Sequence, residues 1–479
     1  MARARAAPLR LGDVNHVVTL LQAELGTAVS VDPEELDACR LDRSGHVSPG
    51  RPIAIVNAAT VADVQATMRI ATATATPVVV RGAGTGLAGA AIAGDGEIVL
   101  STLGMTRIIE VSEDDELAVV EPGIINADLN AALLPKGMWF APDPASRAIS
   151  TVGGNIATNA GGLLCAKYGV TREAVLGLRI VLADGRLMSL GHRTVKGVTG
   201  LDLVGLLIGS EGTLGVIVEA TVRLRRLPTG VPSTIGAYFP TVEAAARAAS
   251  VITASGLRPA IMELLDPKAM EAIAAYLDID VRPQSFLLVQ TDGEGAAAEA
   301  QGALAIIRSL GGDSSVTTDT AEAERLMTLR RSFHPAMAAR GTVLIEDICV
   351  PRSALPAMFH AIDEIAERHA VTIATVAHAG DGNLHPNFVY TGREVPDEVW
   401  AAAHEMFLTA LRLGGTLTGE HGVGLLKKRW LRDELGDEQV DLQRDIKRVF
   451  DPLNLLNPGK MFTEAGETAQ ATSDSALAE

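Results

Sequence analysis

The stretch His378-Ala-Gly-Asp-Gly-Asn-Leu-His-Pro-Asn387 sets two imidazoles on either side of a glycine-rich turn. Val371-Thr-Ile-Ala-Thr-Val-Ala377 before it and His385-Pro-Asn-Phe-Val-Tyr390 after it both predict strands, and Gly380-Asp-Gly-Asn383 supplies the turn chemistry. Such a hairpin holds His378 and His385 side by side at one end of a sheet. Paired imidazoles suit zinc, iron or manganese, but two ligands seldom complete a site. The expected third is Glu420 in Thr418-Gly-Glu-His-Gly422, where a second glycine-rich turn carries an acid beside a histidine. A tight turn with two hydrogen-bonded histidines and a solvated acid accounts for the same residues without a metal. The local pattern leaves both readings open.

The elements that position these groups belong to a chain of 479 residues, long enough for two or three domains. Apolar residues make up 47% and aromatics only 3%, so the cores must be built from Ala, Val, Leu and Ile. A net charge of −17 argues against nucleic acid or an anionic membrane as the main partner. It does not exclude a small acid, because local cations can still line a pocket. Cys39, Cys165 and Cys349 show no paired spacing, so a cytoplasmic setting is expected, with attachment at the membrane periphery left open. No apolar run approaches the ~18–20 residues that cross a bilayer. Basic Met1 to Arg5 has no apolar segment behind it, so it reads as a frayed terminus rather than a secretory signal.

In chain order, Asp13 to Leu25 predicts a helix, followed by a loop rich in Asp, Gly and Pro up to Arg51. Pro52 to Val56, Ala62 to Thr74 and Pro77 to Val80 then read as strand, helix and strand. In Arg81-Gly-Ala-Gly-Thr-Gly-Leu-Ala-Gly-Ala90 the glycines match G-x-G-x-x-G. The dinucleotide fingerprint needs a helix directly afterwards. Here the next strand, Glu97 to Leu100, follows too closely for one. The loop instead offers bare N–H groups to a pyrophosphate, or is an ordinary turn. Strands at Arg107 to Val111 and Leu117 to Val120 precede a helix from Asn126 to Leu134. The second glycine-dense segment, Asp143 to Gly162, has too little bulk to form a core element of its own and suits close approach to a planar or phosphorylated ligand. A third, Gly209 to Ile217, joins a turn to a strand reaching Leu224. Pro228 to Pro232 is a linker. Beyond it come alanine-rich helices (Val242 to Ser255, Ala297 to Leu310), a helix from Glu398 to Arg412 and a polar helix from Leu425 to Asp437. No internal repeat is visible, and Glu464 to Glu479 is expected to be disordered.

From about residue 50 to Phe462 the three glycine-rich segments, in this order, resemble the flavoenzyme superfamily of vanillyl-alcohol oxidase and p-cresol methylhydroxylase (PCMH). Within it the chain is similar to the D-2-hydroxyacid dehydrogenases: D-lactate dehydrogenase, the glycolate oxidase flavin subunit and D-2-hydroxyglutarate dehydrogenase. The resemblance implies an α+β protein with a two-subdomain PCMH-type FAD-binding domain over 1–228. It further implies a cap over 229–422 with an antiparallel sheet and helices on one face, a segment over 423–462 returning to the FAD domain, and a tail over 463–479. It implies FAD contacts from Arg81, Gly82, Ala83, Gly84, Thr85, Gly86 and Leu87, and from Pro144, Thr151, Gly153, Gly154, Asn155, Thr158, Asn159, Gly161 and Gly162. Glu211, Gly212, Thr213, Gly215, Val216, Ile217 and Asn457 complete that set. The first loop has no histidine for flavin attachment, so the FAD should be non-covalent.

The resemblance also implies a divalent metal, zinc or manganese, held by His378, His385 and Glu420. His421 would take the substrate hydroxyl proton, and Arg330 and Asn387 would orient its carboxylate. The role of His334 is open. The implied substrate is a small D-2-hydroxy acid. The acceptor (quinone, cytochrome, electron-transfer flavoprotein or oxygen) is open, and a homodimer is one expected assembly. Relatives that favour D-2-hydroxyglutarate carry a lysine where this chain has Ile345, two residues before Asp347-Ile-Cys-Val-Pro351. That implies a D-lactate-like monocarboxylate here, with Glu346 and Asp347 adding repulsion to a diacid, unless Arg331, Arg340 or His334 supplies the missing charge. The rivals are an alkyl-glycerone-phosphate-synthase-like transferase and a flavin- or metal-binding subunit without catalysis. The complete His378/His385/Glu420/His421 set argues against both.

Overall fold

The computed structural model describes residues 11–392 and 394–462. Met1 to Arg5 and the tail from 463 onward lie outside the described residues.

The first N-terminal lobe is a four-stranded sheet in the order Val29–Ser30, Ala54–Asn57, Ile98–Ser101, Val78–Arg81, the last three parallel. Helix Val61–Thr74 covers it, started by a reciprocal capping box between Thr60 and Asp63 and stopped at left-handed Ala75. Parallel neighbours normally need a crossover helix. Here the glycine loop alone carries the chain from Val78–Arg81 to Ile98–Ser101. Arg81 braces that loop, donating from Nη1 to Ala91 O (2.6 Å) and from Nη2 to Leu41 O (3.0 Å). The segment before Arg51, expected to be all loop, contains a short strand and the helix Pro33–Ala38. The missed signal was Asp32-Pro33, an N-cap followed by proline at the first helical position.

The second lobe is an antiparallel sheet in the order Ile108–Ser112, Leu117–Val120, Val216–Arg223, Val175–Val181, Leu187–Gly191. Against it packs helix Val152–Thr158, inside the second glycine-dense segment where no regular element was expected. Thr151 caps this helix by accepting from Gly154 N (3.1 Å). Gly153 is required for close packing, since a Cβ there would run into Pro122.

The cap is built on an eight-stranded sheet. Its main path runs Asp313–Thr317, Ser233–Phe239, Ser285–Thr291, Ile261–Leu265, Thr372–His378, Asn383–Tyr390, Thr342–Ile345, with Ile348–Cys349 also pairing to Asn383–Tyr390. Every described pairing in it is antiparallel. Helices cover both faces, not one. Val242–Ala254, Ala296–Ser309, Leu355–Arg368 and Asp397–Arg412 pack on one side, and Pro267–Leu277, Thr320–Arg331 and Phe333–Ala338 on the other. Strands such as Ile261-Met-Glu-Leu-Leu265, buried at every position, require two covered faces. Leu163, Leu164 and Tyr168 of the second lobe also pack on the less covered face.

The polar helix expected at Leu425 to Asp437 is instead a short 3-10 turn, Lys428–Trp430, running into Leu431–Phe450. That helix is broken at Gly436, whose φ of 73° is left-handed. The chain then returns to the first lobe, where Asn457 N donates to Val78 O (2.8 Å) and Leu456 bridges Val78. Among the described residues no helix is long and apolar enough to cross a membrane.

Candidate active site

Side chains on a strand alternate between faces. Glu263 pairs with His378 across Ile261–Leu265 and Thr372–His378, while His385 pairs with Val376 and Asn387 with both Ala374 and Ile345. This register puts Glu263, His378, His385, Asn387 and Ile345 on the face that looks toward the N-terminal lobes. The hairpin predicted from the turn is present. The two rings meet edge to face at 5.1 Å between centroids. Gly382 makes the turn possible, with φ of 89° and the Val350 carbonyl where a Cβ would sit.

The Thr418–Gly422 turn brings Glu420 to the same point. Its Oε1 lies 3.1 Å from His385 Nε2, 3.7 Å from His378 Nε2 and 3.9 Å from His421 Nε2. Behind this cluster stand two acids. Glu263 Oε1 accepts from His378 Nδ1 (2.6 Å) and Oε2 from Arg330 Nε (2.5 Å). Asp347 Oδ2 accepts from Thr418 Oγ1 (2.6 Å), Glu420 N (3.0 Å) and His421 N (2.9 Å), fixing the turn. Asp347 Oδ1 and His385 Nδ1 are both buried without a hydrogen-bond partner, 3.9 Å apart.

Burial alone would raise the Glu420 carboxyl, but His378 and His385 hold it well below its ordinary value. Burial would lower His378, yet Glu263 lifts it well above. His421 is pushed down to about 4, chiefly by burial, so its ring is neutral at neutral pH. A buried carboxylate facing three imidazole nitrogens suits a divalent cation. With His378 Nδ1 committed to Glu263, Nε2 is the atom that could ligate such a cation, the arrangement of carboxylate–histidine metal centres.

These groups form one wall of a cavity of about 1100 Å³ between cap and N-terminal lobes. Its other walls are the three glycine-rich segments. Gly82, Ala83, Gly84, Thr85, Gly86, Leu87, Pro144, Thr151, Gly153, Gly154, Asn155, Thr158, Gly161, Gly162, Glu211, Gly212, Gly215, Ile217 and Asn457 all line it. The bare backbone fits a large planar ligand. A Cβ on Gly82 would lie 2.6 Å from Thr151 Oγ1, and one on Gly161 2.6 Å from Glu420 Oε2. Four expected contacts stand behind the wall instead. Arg81 braces the first loop, Asn159 ends helix Val152–Thr158 and accepts from Arg172 N (2.9 Å), Thr213 is bonded to Ser210 O (2.7 Å), and Val216 is core.

Residues 52–191 match the FAD binding domain family, and residues 231–461 match the C-terminal domain of FAD linked oxidases. The chain belongs to the FAD-linked oxidase family. The glycolate oxidase subunit GlcD of Bacillus subtilis (strain 168) is 41% identical over 399 residues, 81% of this chain and 84% of that one. D-lactate dehydrogenase of Archaeoglobus fulgidus is 36% identical over 91% of this chain and 98% of its own length. D-2-hydroxyglutarate dehydrogenase of Stutzerimonas stutzeri is 32% identical over 91% and 96%. The structure of p-cresol methylhydroxylase with substrate bound superposes with a TM-score of 0.78 at 16% identity, over 96% of this chain and 99% of that one, which shows the PCMH-type fold.

In this FAD-linked oxidase, Arg330 and Asn387 both reach the cavity. Asn387 Nδ2 donates to His385 O (2.9 Å), and its Oδ1 is unpartnered. Glu346 and Asp347 do not line the cavity: Asp347 holds the Thr418–Gly422 turn, and Glu346 is buried 3.7 Å from Lys427. Arg331 and His334 line it. Arg340 does not, pairing with Glu271 at 3.2 Å. Glu263 was not anticipated, although a lone acid in an otherwise apolar strand was a usable signal. Asp42 and Arg43, also at the cavity wall, carried no motif.

Proposed function

We propose that this chain is an FAD-dependent, metal-assisted dehydrogenase that converts a D-2-hydroxy acid to the 2-oxo acid. The observation that carries the reading is the convergence of His378, His385 and His421 Nε2 on one Glu420 oxygen, at the wall of a cavity otherwise lined by the flavin-domain glycines. When bound, the flavin would accept hydride from C2, and zinc or manganese on His378, His385 and Glu420 would lower the hydroxyl pKa as such ions do for water. Neutral His421 takes the hydroxyl proton. Arg330, with Nε committed to Glu263, offers its terminal nitrogens to the substrate carboxylate, and Asn387 sets the angle of that carboxylate. The electrons pass on to a quinone, a cytochrome or an electron-transfer flavoprotein.

The favoured substrate is a D-lactate-like monocarboxylate, with glycolate and D-2-hydroxyglutarate as the alternatives within the family. Val343, Ile345 and Val376 give the cavity apolar wall beside Asn387. A second carboxylate left unpaired there costs several kcal/mol. Arg331 and His334 are the groups that oppose this preference. The test is a panel of D- and L-2-hydroxy acids with a dye acceptor. The expected result is turnover of D-isomers, with kcat/KM for D-lactate or D-2-hydroxybutyrate above that for D-2-hydroxyglutarate. A clear preference for the diacid overturns the size reading, and no turnover of any 2-hydroxy acid overturns the function.

The FAD is expected to be held without a covalent bond, since residues 81–90 contain no histidine. Acid or heat should release all of the yellow colour into the supernatant. Flavin that stays with the precipitated protein contradicts a non-covalent site.

A further inference from the structure

Glu263 is fully buried on a strand whose other four residues are apolar and also buried. Packing alone does not call for an acid there, because an apolar residue fills such a position at lower desolvation cost. What distinguishes it is the division of its two oxygens. Oε1 faces His378 Nδ1 at 2.6 Å and Oε2 faces Arg330 Nε at 2.5 Å. His378 presents Nε2 to Glu420, and Arg330 lines the cavity. One carboxylate therefore braces the ring assigned to the metal and the guanidinium assigned to the substrate.

We infer that Glu263 is a positioning residue that couples the metal site to the substrate-carboxylate clamp. By accepting a hydrogen bond from Nδ1–H it fixes the His378 tautomer, so that Nε2 remains the ligand atom. Through its other oxygen it sets the direction of Arg330. A shift of His378 is passed to Arg330 through a single rigid group, and the reverse holds equally. Glutamine cannot replace it, since an amide offers one acceptor oxygen and would turn its NH2 toward one of two donors.

This inference rests on the metal reading proposed above. The experiment measures the Zn²⁺ dissociation constant of FAD-loaded protein by chelator competition, without substrate, for wild type and Glu263→Gln. FAD content and the thermal midpoint are recorded in parallel, and steady-state constants are taken with the 2-hydroxy acid that the panel selects. In Glu263→Gln the Zn²⁺ dissociation constant is expected to rise ~10–100-fold. The KM should rise with it, with FAD retained and partial recovery in Glu263→Asp. A Zn²⁺ dissociation constant within about twofold of wild type in Glu263→Gln overturns the inference. If that variant does not fold, the same titration of Glu263→Asp decides: a weakened constant supports the role, and a wild-type constant refutes it. Wild type that takes up no Zn²⁺ condemns the metal reading instead.

Discussion

His421→Ala is expected to lower turnover ~10²–10⁴-fold, the usual worth of a general base, while FAD remains bound. His421 lies beside Glu420, and its backbone N–H is held by Asp347 rather than by any flavin-domain group. Losing the ring therefore leaves the glycine loops intact. Burial depresses its pKa to about 4, so the ring is unprotonated at neutral pH and has a nitrogen open to the hydroxyl proton. Stopped-flow reduction of the flavin by substrate isolates this step from the acceptor reaction, and the flavin spectrum before mixing reports occupancy. An unchanged reduction rate would remove His421 from the proton transfer. Loss of the flavin spectrum would show that its place is structural.

Exhaustive chelation is expected to cost at least ~10²-fold in turnover, because a substrate hydroxyl without a bound cation keeps a pKa far above neutrality. Zn²⁺ or Mn²⁺ added back should restore it. His385→Ala should behave like the chelated protein and resist restoration, since it removes one of three expected ligands and the one nearest Glu420. The glycine-lined walls do not depend on His385, so FAD content should stay at the wild-type level. Full activity in protein shown by elemental analysis to be free of metal would refute the metal role.

The parts of the fold that were legible in the sequence are those with local causes. The His378–His385 hairpin rests on β-branched runs around a glycine turn, and the absence of a helix after Gly89 follows from the nearness of Glu97. Other features depended on distant partners. Glu263 takes its meaning from Arg330 and His378, 67 and 115 residues away. The orphaned atoms of Asp347 and His385 become visible only once the Thr418–Gly422 turn is placed. The one-faced cap was only what the resemblance implied, whereas Ile261–Leu265, apolar except for Glu263 and buried throughout, needs cover on both faces. Arg81 and Asn159 sit within glycine-rich motifs yet serve the motif's own shape, a distinction that spacing cannot make.

After the linker at residues 228–232, the backbone touches the N-terminal lobes again just after the Thr418–Gly422 turn, before Lys427 and Trp430 pack back on the cap. That second contact is clamped: Glu211 of the second lobe accepts from Val423 N (2.6 Å) and Gly424 N (2.8 Å), directly behind Glu420 and His421. The cap is thus joined to the N-terminal lobes at two places, and the second is held by hydrogen bonds beside Glu420 and His421. Arg43, Arg331 and His334 line the cavity and are exposed, so the wall nearest solvent carries positive charge in a chain whose net charge is −17.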